Sequence, residues 1–201
     1  AKYPLLLLID SDARMHSAGF ITDYLKASEM HPESVICGGV YTSPESATRS
    51  NQLRYRYERA AAKHNMASVR QLHPYSRFTT FNVLLPKKVI REVPFDECLS
   101  RYGYEDTLFG LQLEQHDIPV VHIDNPLTHT GIDDNAAFLS KTETALCNLS
   151  MLGSAYQQSV TLSATAMRFR QYGLAPLMRL FHRMFGNYER RDLLGSRPSL
   201  F

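Results

Sequence analysis

The sequence predicts an α/β domain, and two observations carry that expectation. One is an unbroken apolar run near the start, and the other is the alternation of strand-like and helix-like stretches after it. In "YPLLLLIDSDARM", residues 3–15, Leu5, Leu6, Leu7, Leu8 and Ile9 stand in a row ahead of two aspartates. Such a run reads as a strand covered on both faces, as in the sheets of α/β domains. Asp10 and Asp12 then emerge at its carboxyl end, where open α/β sheets place their ligands. Carboxylates one residue apart at a strand tip can share a divalent cation, because hard oxygen ligands suit Mg²⁺ or Mn²⁺. The same two acids also fit a turn that caps the following helix.

The elements follow in order. "SAGFITDYLKASEM" sets Phe20, Ile21, Tyr24 and Leu25 at helical spacing and ends before Pro32. "SVICGGVYTS" reads as a β-branched strand with a glycine pair, and "NQLRYRYERAAAKHNM" as a second helix, on the edge of a cleft. "RFTTFNVLLPKKVI" carries a strand from Phe78 to Leu85 stopped by Pro86, and "IPVVHIDNP" a short one from Pro119 to Ile123. In "FDECLSRYGYEDTLFGLQLEQH" Gly103 and Tyr104 form a break. Glu105 and Asp106 then open a helix whose apolar side is Leu108, Leu111 and Leu113. Acids in a first turn are favoured by the helix dipole by roughly 0.3–1 kcal/mol, which alone accounts for that pair. His122 and His129 flank a strand exit in "VVHIDNPLTHTG".

With 201 residues, 44% hydrophobic and 21% charged, the chain can bury a core, and one domain over residues 1–150 with an extension over 151–201 is expected. A formal charge of +2 with no basic run argues against a nucleic-acid partner. Cys37, Cys98 and Cys147 form no CxxC pair, which points to a reducing compartment rather than a disulfide framework or a zinc site. The first apolar run falls well short of the roughly 20 residues a bilayer requires and lacks a basic n-region, so a cytoplasmic location is expected. From Thr144 to Arg191 the sole acid is Glu189, against Arg168, Arg170, Arg179, Arg183, Arg190 and Arg191. "APLMRLFHRMFGN" reads as a helix with Pro176 in its first turn and Gly186 as its stop. Leu177, Leu180, Phe181, Met184 and Phe185 form its apolar stripe, with Arg179, His182 and Arg183 opposite. The stripe suits packing on the domain or on another subunit, or attachment to the inner face of an anionic membrane.

The order Asp-x-Asp, "TTFNVLLPK", "GYED", "HTG" resembles the catalytic half of the family 2 glycosyltransferases, over residues 3 to about 150. Its most specific portion runs from "YGYEDTLFGLQL" to "HIDNPLTHTG". The resemblance implies a GT-A fold, a mixed and mostly parallel sheet flanked by helices. It also implies transfer of a sugar, with inversion, from a nucleotide-sugar donor to a carbohydrate or lipid-linked acceptor hydroxyl. Carried across by motif, Asp10 and Asp12 hold Mg²⁺ or Mn²⁺ on the donor diphosphate and His129 completes the metal site. Asp106 is then the acceptor base, and Glu105 helps to orient acceptor or base.

One departure stands out. Only nine residues precede Asp10, where the resemblance implies a longer run of nucleotide-binding strands. A partial chain with an open sheet edge is therefore expected, and with it self-association or completion of the sheet by another chain. An apolar strand ending in Asp-x-Asp also opens haloacid-dehalogenase-type phosphatases, in which the first aspartate is the nucleophile. Against that, "ARMHSAG" follows Asp12 in place of their small or threonine-containing turn, and "GYED" opens a helix. A glycosyltransferase-like fragment that binds but does not transfer is the remaining alternative.

Overall fold

A computed structural model describes residues 2–97, 99, 102–152 and 160–190, the side chains of 161–162 and 185–190 excepted. Cys98 and Arg191 lie outside the described residues, as do the side chains of Phe185, Glu189 and Arg190. The chain forms two compact units. The first is built from Ala1–Ser46, Tyr55–Ser100 and Tyr104–Ile132, and the second from Ala47–Arg54, Arg101–Gly103 and Asp133–Phe201.

The elements, in chain order, are β1 (Leu5–Ile9), β2 (Ala13–Arg14), α1 (Phe20–Met30), β3 (Val35–Cys37), β4 (Val40–Tyr41), α2 (Gln52–Ala62), α3 (Ala67–Arg70), β5 (Asn82–Pro86), α4 (Lys87–Glu92), α5 (Glu105–Gln115), β6 (Val120–His122), β7 (Leu127–His129), α6 (Asn135–Met151), α7 (Thr161–Gln171) and α8 (Ala175–Arg190). The fold is α/β with mixed sheets. A four-stranded sheet has the order β1-β5-β3-β6, and a three-stranded one the order β2-β7-β4. The sheets are mixed, as expected, but not mostly parallel. Among the described residues only β3–β6 and β4–β7 run parallel, while β1–β5, β3–β5 and β2–β7 are antiparallel.

Period-two alternation explains why the first unit needs helices on both sides of its larger sheet. Val35 and Cys37 of β3, Val83 and Leu85 of β5, and Leu6 and Leu8 of β1 join one cluster with Val89 of α4 and with Phe109 and Leu113 of α5. Ile36, Leu84, Leu5 and Leu7 point the other way, into a cluster with Phe20, Tyr24 and Ala27 of α1. The apolar start of the chain thus packs on both faces but stays only half-buried, with Ile9 exposed, because among the described residues β1 pairs only with β5 and lies at the sheet edge.

Three expected elements come out differently. "SVICGGVYTS" is two strands, because the chain crosses from one sheet to the other at Gly38 and Gly39, the latter at φ +91°. The strand expected from Phe78 begins only at Asn82, because Thr79 and Thr80 turn their hydroxyls towards α5. Gly186 does not stop α8, which runs on to Arg190.

The crossing is held by buried polar groups. The fully enclosed Asn82 amide donates to the carbonyls of Gly39 (3.0 Å) and Asn125 (2.9 Å), and its oxygen accepts from the Tyr24 hydroxyl (2.7 Å). Burial raises the Tyr24 pKa well above its ordinary value. The Arg70 guanidinium, also buried, donates to the carbonyls of Cys37 (3.2 Å) and Ile123 (2.7 Å) and to His122 Nδ1 (2.6 Å).

In the second unit, Asp134 caps α6 by accepting from the Ala137 N–H (2.8 Å). Asn135 accepts from the Leu53 N–H (2.9 Å), and its own N–H donates to the Ser50 carbonyl (2.7 Å). The Asn148 amide donates to the Gly103 carbonyl (2.9 Å).

Replacing Asn82 by alanine takes the 2.9 Å donor from the Asn125 carbonyl and one of two partners each from the Gly39 carbonyl, which keeps the Leu127 N–H (3.4 Å), and from the Tyr24 hydroxyl, which keeps the main-chain carbonyl of residue 82 (3.0 Å). Asn82→Ala should lower unfolding stability by roughly 2–4 kcal/mol in urea titrations. A loss below about 0.5 kcal/mol would remove Asn82 from this role.

Candidate active site

The carboxyl end of β1 carries both aspartates into a turn of the first unit. The Asp10 N–H donates to the Phe81 carbonyl (3.1 Å), and the Ala13 N–H donates back to the Asp10 carbonyl (3.1 Å), so Asp10 to Ala13 is a tight turn. The next strand pairing places Ala13 opposite His129. Beyond it, the Thr130 N–H (2.9 Å) and hydroxyl (2.6 Å) both donate to the Asp12 carbonyl. "HTG" is therefore the strap that fastens the aspartate turn. Its glycine is a steric requirement: a Cβ on Gly131 would lie 2.1 Å from Asp12 Oδ2.

The His129 ring lies between two carboxylates. Nε2 is 3.2 Å from Asp12 Oδ2 and Nδ1 is 2.8 Å from Glu58 Oε1, with the Phe81 ring edge-on at 5.5 Å. Donation at both nitrogens at once requires the doubly protonated ring. With a cation on Nε2, only Nδ1–H remains. Glu58 is held on its other oxygen by the Thr42 hydroxyl (2.7 Å).

Asp106 is fixed from a second direction. Thr79 donates to its Oδ2 (2.9 Å) and Thr80 to its Oδ1 (2.7 Å). It lies in the first turn of α5, after Tyr104 at φ +69°, while Glu105 is exposed beside it. Partial burial, then the negative charges of Asp12 and Asp106, raise the Asp10 pKa above its ordinary value, and His129 opposes them. Asp10, Asp12, Asp106 and His129 thus share one electrostatic environment.

His122, the other histidine singled out in the sequence, has a different place. It is buried, accepts from Arg70 at Nδ1 and faces the Pro74 carbonyl with Nε2 (3.0 Å). Burial pushes its pKa down to about 4, so it is a neutral structural group. Sequence reasoning missed Glu58, Thr42, Thr79 and Thr80. Glu58 lies among arginines and tyrosines on a polar helix, where an acid reads as a solvated side chain. The adjacent threonines ahead of an apolar strand were the one available signal, and that signal reads as strand propensity.

Among the described residues no group of three His, Cys, Asp or Glu side chains is arranged to hold a metal ion by itself. No protein-family model matches the chain, and no curated protein matches it.

The raised Asp10 pKa carries a sign. Between its unfolded value, near 3.8, and its higher folded value the native state binds more protons, so this group's contribution to stability falls as pH rises. Asp10→Asn should therefore raise the melting temperature of the metal-free protein at pH 7 and lose that advantage at pH 3 and below. An unchanged or lower melting temperature at pH 7 would contradict it.

Proposed function

We propose that the chain is the catalytic part of an inverting glycosyltransferase of the GT-A kind, moving a sugar from a nucleoside-diphosphate donor to an acceptor hydroxyl. The observation that carries this reading is a geometric one: His129 meets Asp12, and Asp106 is bonded by Thr79 and Thr80, which directly precede Phe81, whose carbonyl accepts the Asp10 N–H and whose ring lies edge-on to His129. Two carboxylates and an imidazole are a donor set that suits Mn²⁺ or Mg²⁺. No complete protein cage exists among the described residues, so Asp10, Asp12 and His129 would hold such an ion together with oxygens supplied by the donor diphosphate. A cation bound there stabilises the charge that grows on the departing diphosphate.

Asp106 is the acceptor base. A carboxylate offers about four lone-pair sites, of which the two threonine hydroxyls take two, leaving acceptance sites for the incoming hydroxyl. The threonines hold the carboxylate still, and a general base must be positioned within reach of the proton it takes. Glu105, exposed at the start of the same helix, orients the acceptor.

Calorimetry with Mn²⁺ and UDP or GDP tests the donor site. Native chain should bind the pair, Asp12→Ala should lose it, and Asp10→Ala should weaken it. Asp106→Asn should keep that binding and lower transfer from a nucleotide sugar by about 10²–10⁴. Equal binding by native chain and Asp12→Ala removes the aspartates from the site. Turnover of p-nitrophenyl phosphate instead moves the chemistry to phosphate-ester hydrolysis.

The terminal helices favour attachment to an anionic membrane surface. No described helix is long and apolar enough to cross a membrane. Leu177, Leu180, Phe181 and Met184 of α8 nevertheless stay about half exposed, and Arg179, His182 and Arg183 are exposed as well. Residues 160–184 contain four arginines and no acid. Each basic residue near such a surface adds about 1 kcal/mol, screened by salt. Native chain should co-sediment with phosphatidylserine vesicles at low salt, and the Arg179→Glu, Arg183→Glu double variant should not. Indifference of the native chain to the vesicles would return α8 to protein packing.

A further inference from the structure

We propose that Glu58 is the positioning residue for the cation-binding imidazole. Its carboxylate holds the His129 ring with Nδ1–H directed into α2 and Nε2 turned towards Asp12. The inference rests on the metal-assisted donor site proposed above and adds to it a residue that no strand-tip motif contains.

The geometry is specific. Glu58 is carried by α2 and His129 by β7, and the Nδ1 to Oε1 distance is 2.8 Å. Their side chains are only 10% and 12% exposed, whereas Asp12 on the far side of the ring is 38% exposed. The solvent-facing end of the chain Thr42–Glu58–His129–Asp12 is therefore the Asp12 end, where a ligand can arrive. Both Glu58 oxygens are held, one by Thr42, itself buried, and one by His129, so the acid cannot turn away. The edge-on Phe81 ring limits rotation of the imidazole about its own plane. A histidine that binds a cation through one nitrogen commonly donates its other N–H to a carboxylate, which fixes tautomer and direction. Glu58 stands where that carboxylate belongs.

The rival role for Glu58 is space-filling between α2 and β7, and two variants separate the roles. Glu58→Gln keeps the shape but can turn either its oxygen or its NH₂ to Nδ1, so it no longer dictates the tautomer. Glu58→Ala removes the partner altogether. Mn²⁺ uptake, read from the electron paramagnetic resonance of free Mn²⁺ with and without UDP, should weaken about 10–100-fold in Glu58→Ala. Glu58→Gln should show an intermediate loss, with its metal-free melting temperature close to native. Native-like uptake by Glu58→Gln would reduce Glu58 to a space-filler and overturn the proposal. If Glu58→Ala does not fold, the Gln variant alone decides. Native uptake that Asp12→Ala abolishes and both Glu58 variants retain would sink this inference and leave the donor site standing. A native chain that takes up no Mn²⁺ in either condition overturns both.

Discussion

The site depends on one enclosed amide. Asn82 is the first residue of β5 and lies in register with Ile9, the last residue of β1, so its position fixes where the apolar strand ends and the acids begin. Its side chain reaches across to Gly39 and Asn125, at two of the three places where the chain leaves the larger sheet for the smaller one, the third being the turn after β1. Asn125 in turn donates to the Phe20 carbonyl at the start of α1 (2.9 Å). There is no room for a side chain at the crossing, since a Cβ on Gly38 would lie 2.4 Å from the Tyr24 hydroxyl and 2.5 Å from the Asn82 amide. Low-dielectric surroundings make such a network strong when it is complete and costly when any member is missing.

Around that fixed point the acids are set against one another. Partial burial does most to raise the Asp10 pKa, Asp12 and Asp106 add to it, and His129 opposes them. Carboxylates perturbed by burial and by like charge mark candidate functional sites. The neutral partners share a logic as well. Threonine hydroxyls fix Asp106 and Glu58 without cancelling their charge, whereas a lysine or arginine in the same places would do so.

Much of the fold was legible because its signals are local. The Leu5–Ile9 run, the spacing of Phe20 and Tyr24, and the acids that open α5 each carry their own pattern within a few residues, although Ile21 and Leu25, read together with Phe20 and Tyr24, are exposed and Ala27 is buried instead. Sheet direction was not legible, because pairing is decided by which segments meet, and nothing in "NVLLP" states that it runs antiparallel to both neighbours. Leu111 was expected in the core and Phe109 was not, yet Phe109 is the buried one; its ring is 5.2 Å from that of Phe78, a contact no helical period encodes. The aspartates and His129 stood out by type and spacing. Glu58 did not, since its meaning comes from a histidine 71 positions away.

Gly131 changes how the "HTG" run should be handled by anyone altering this protein. Its absent side chain is a volume already filled by the Asp12 carboxylate, so position 131 acts as a set screw on an acid that lies far away in sequence. Adding a single methyl there would move the carboxylate while leaving every charged group in the sequence unchanged. It would therefore separate the geometry of the site from its charge while leaving both aspartates in place.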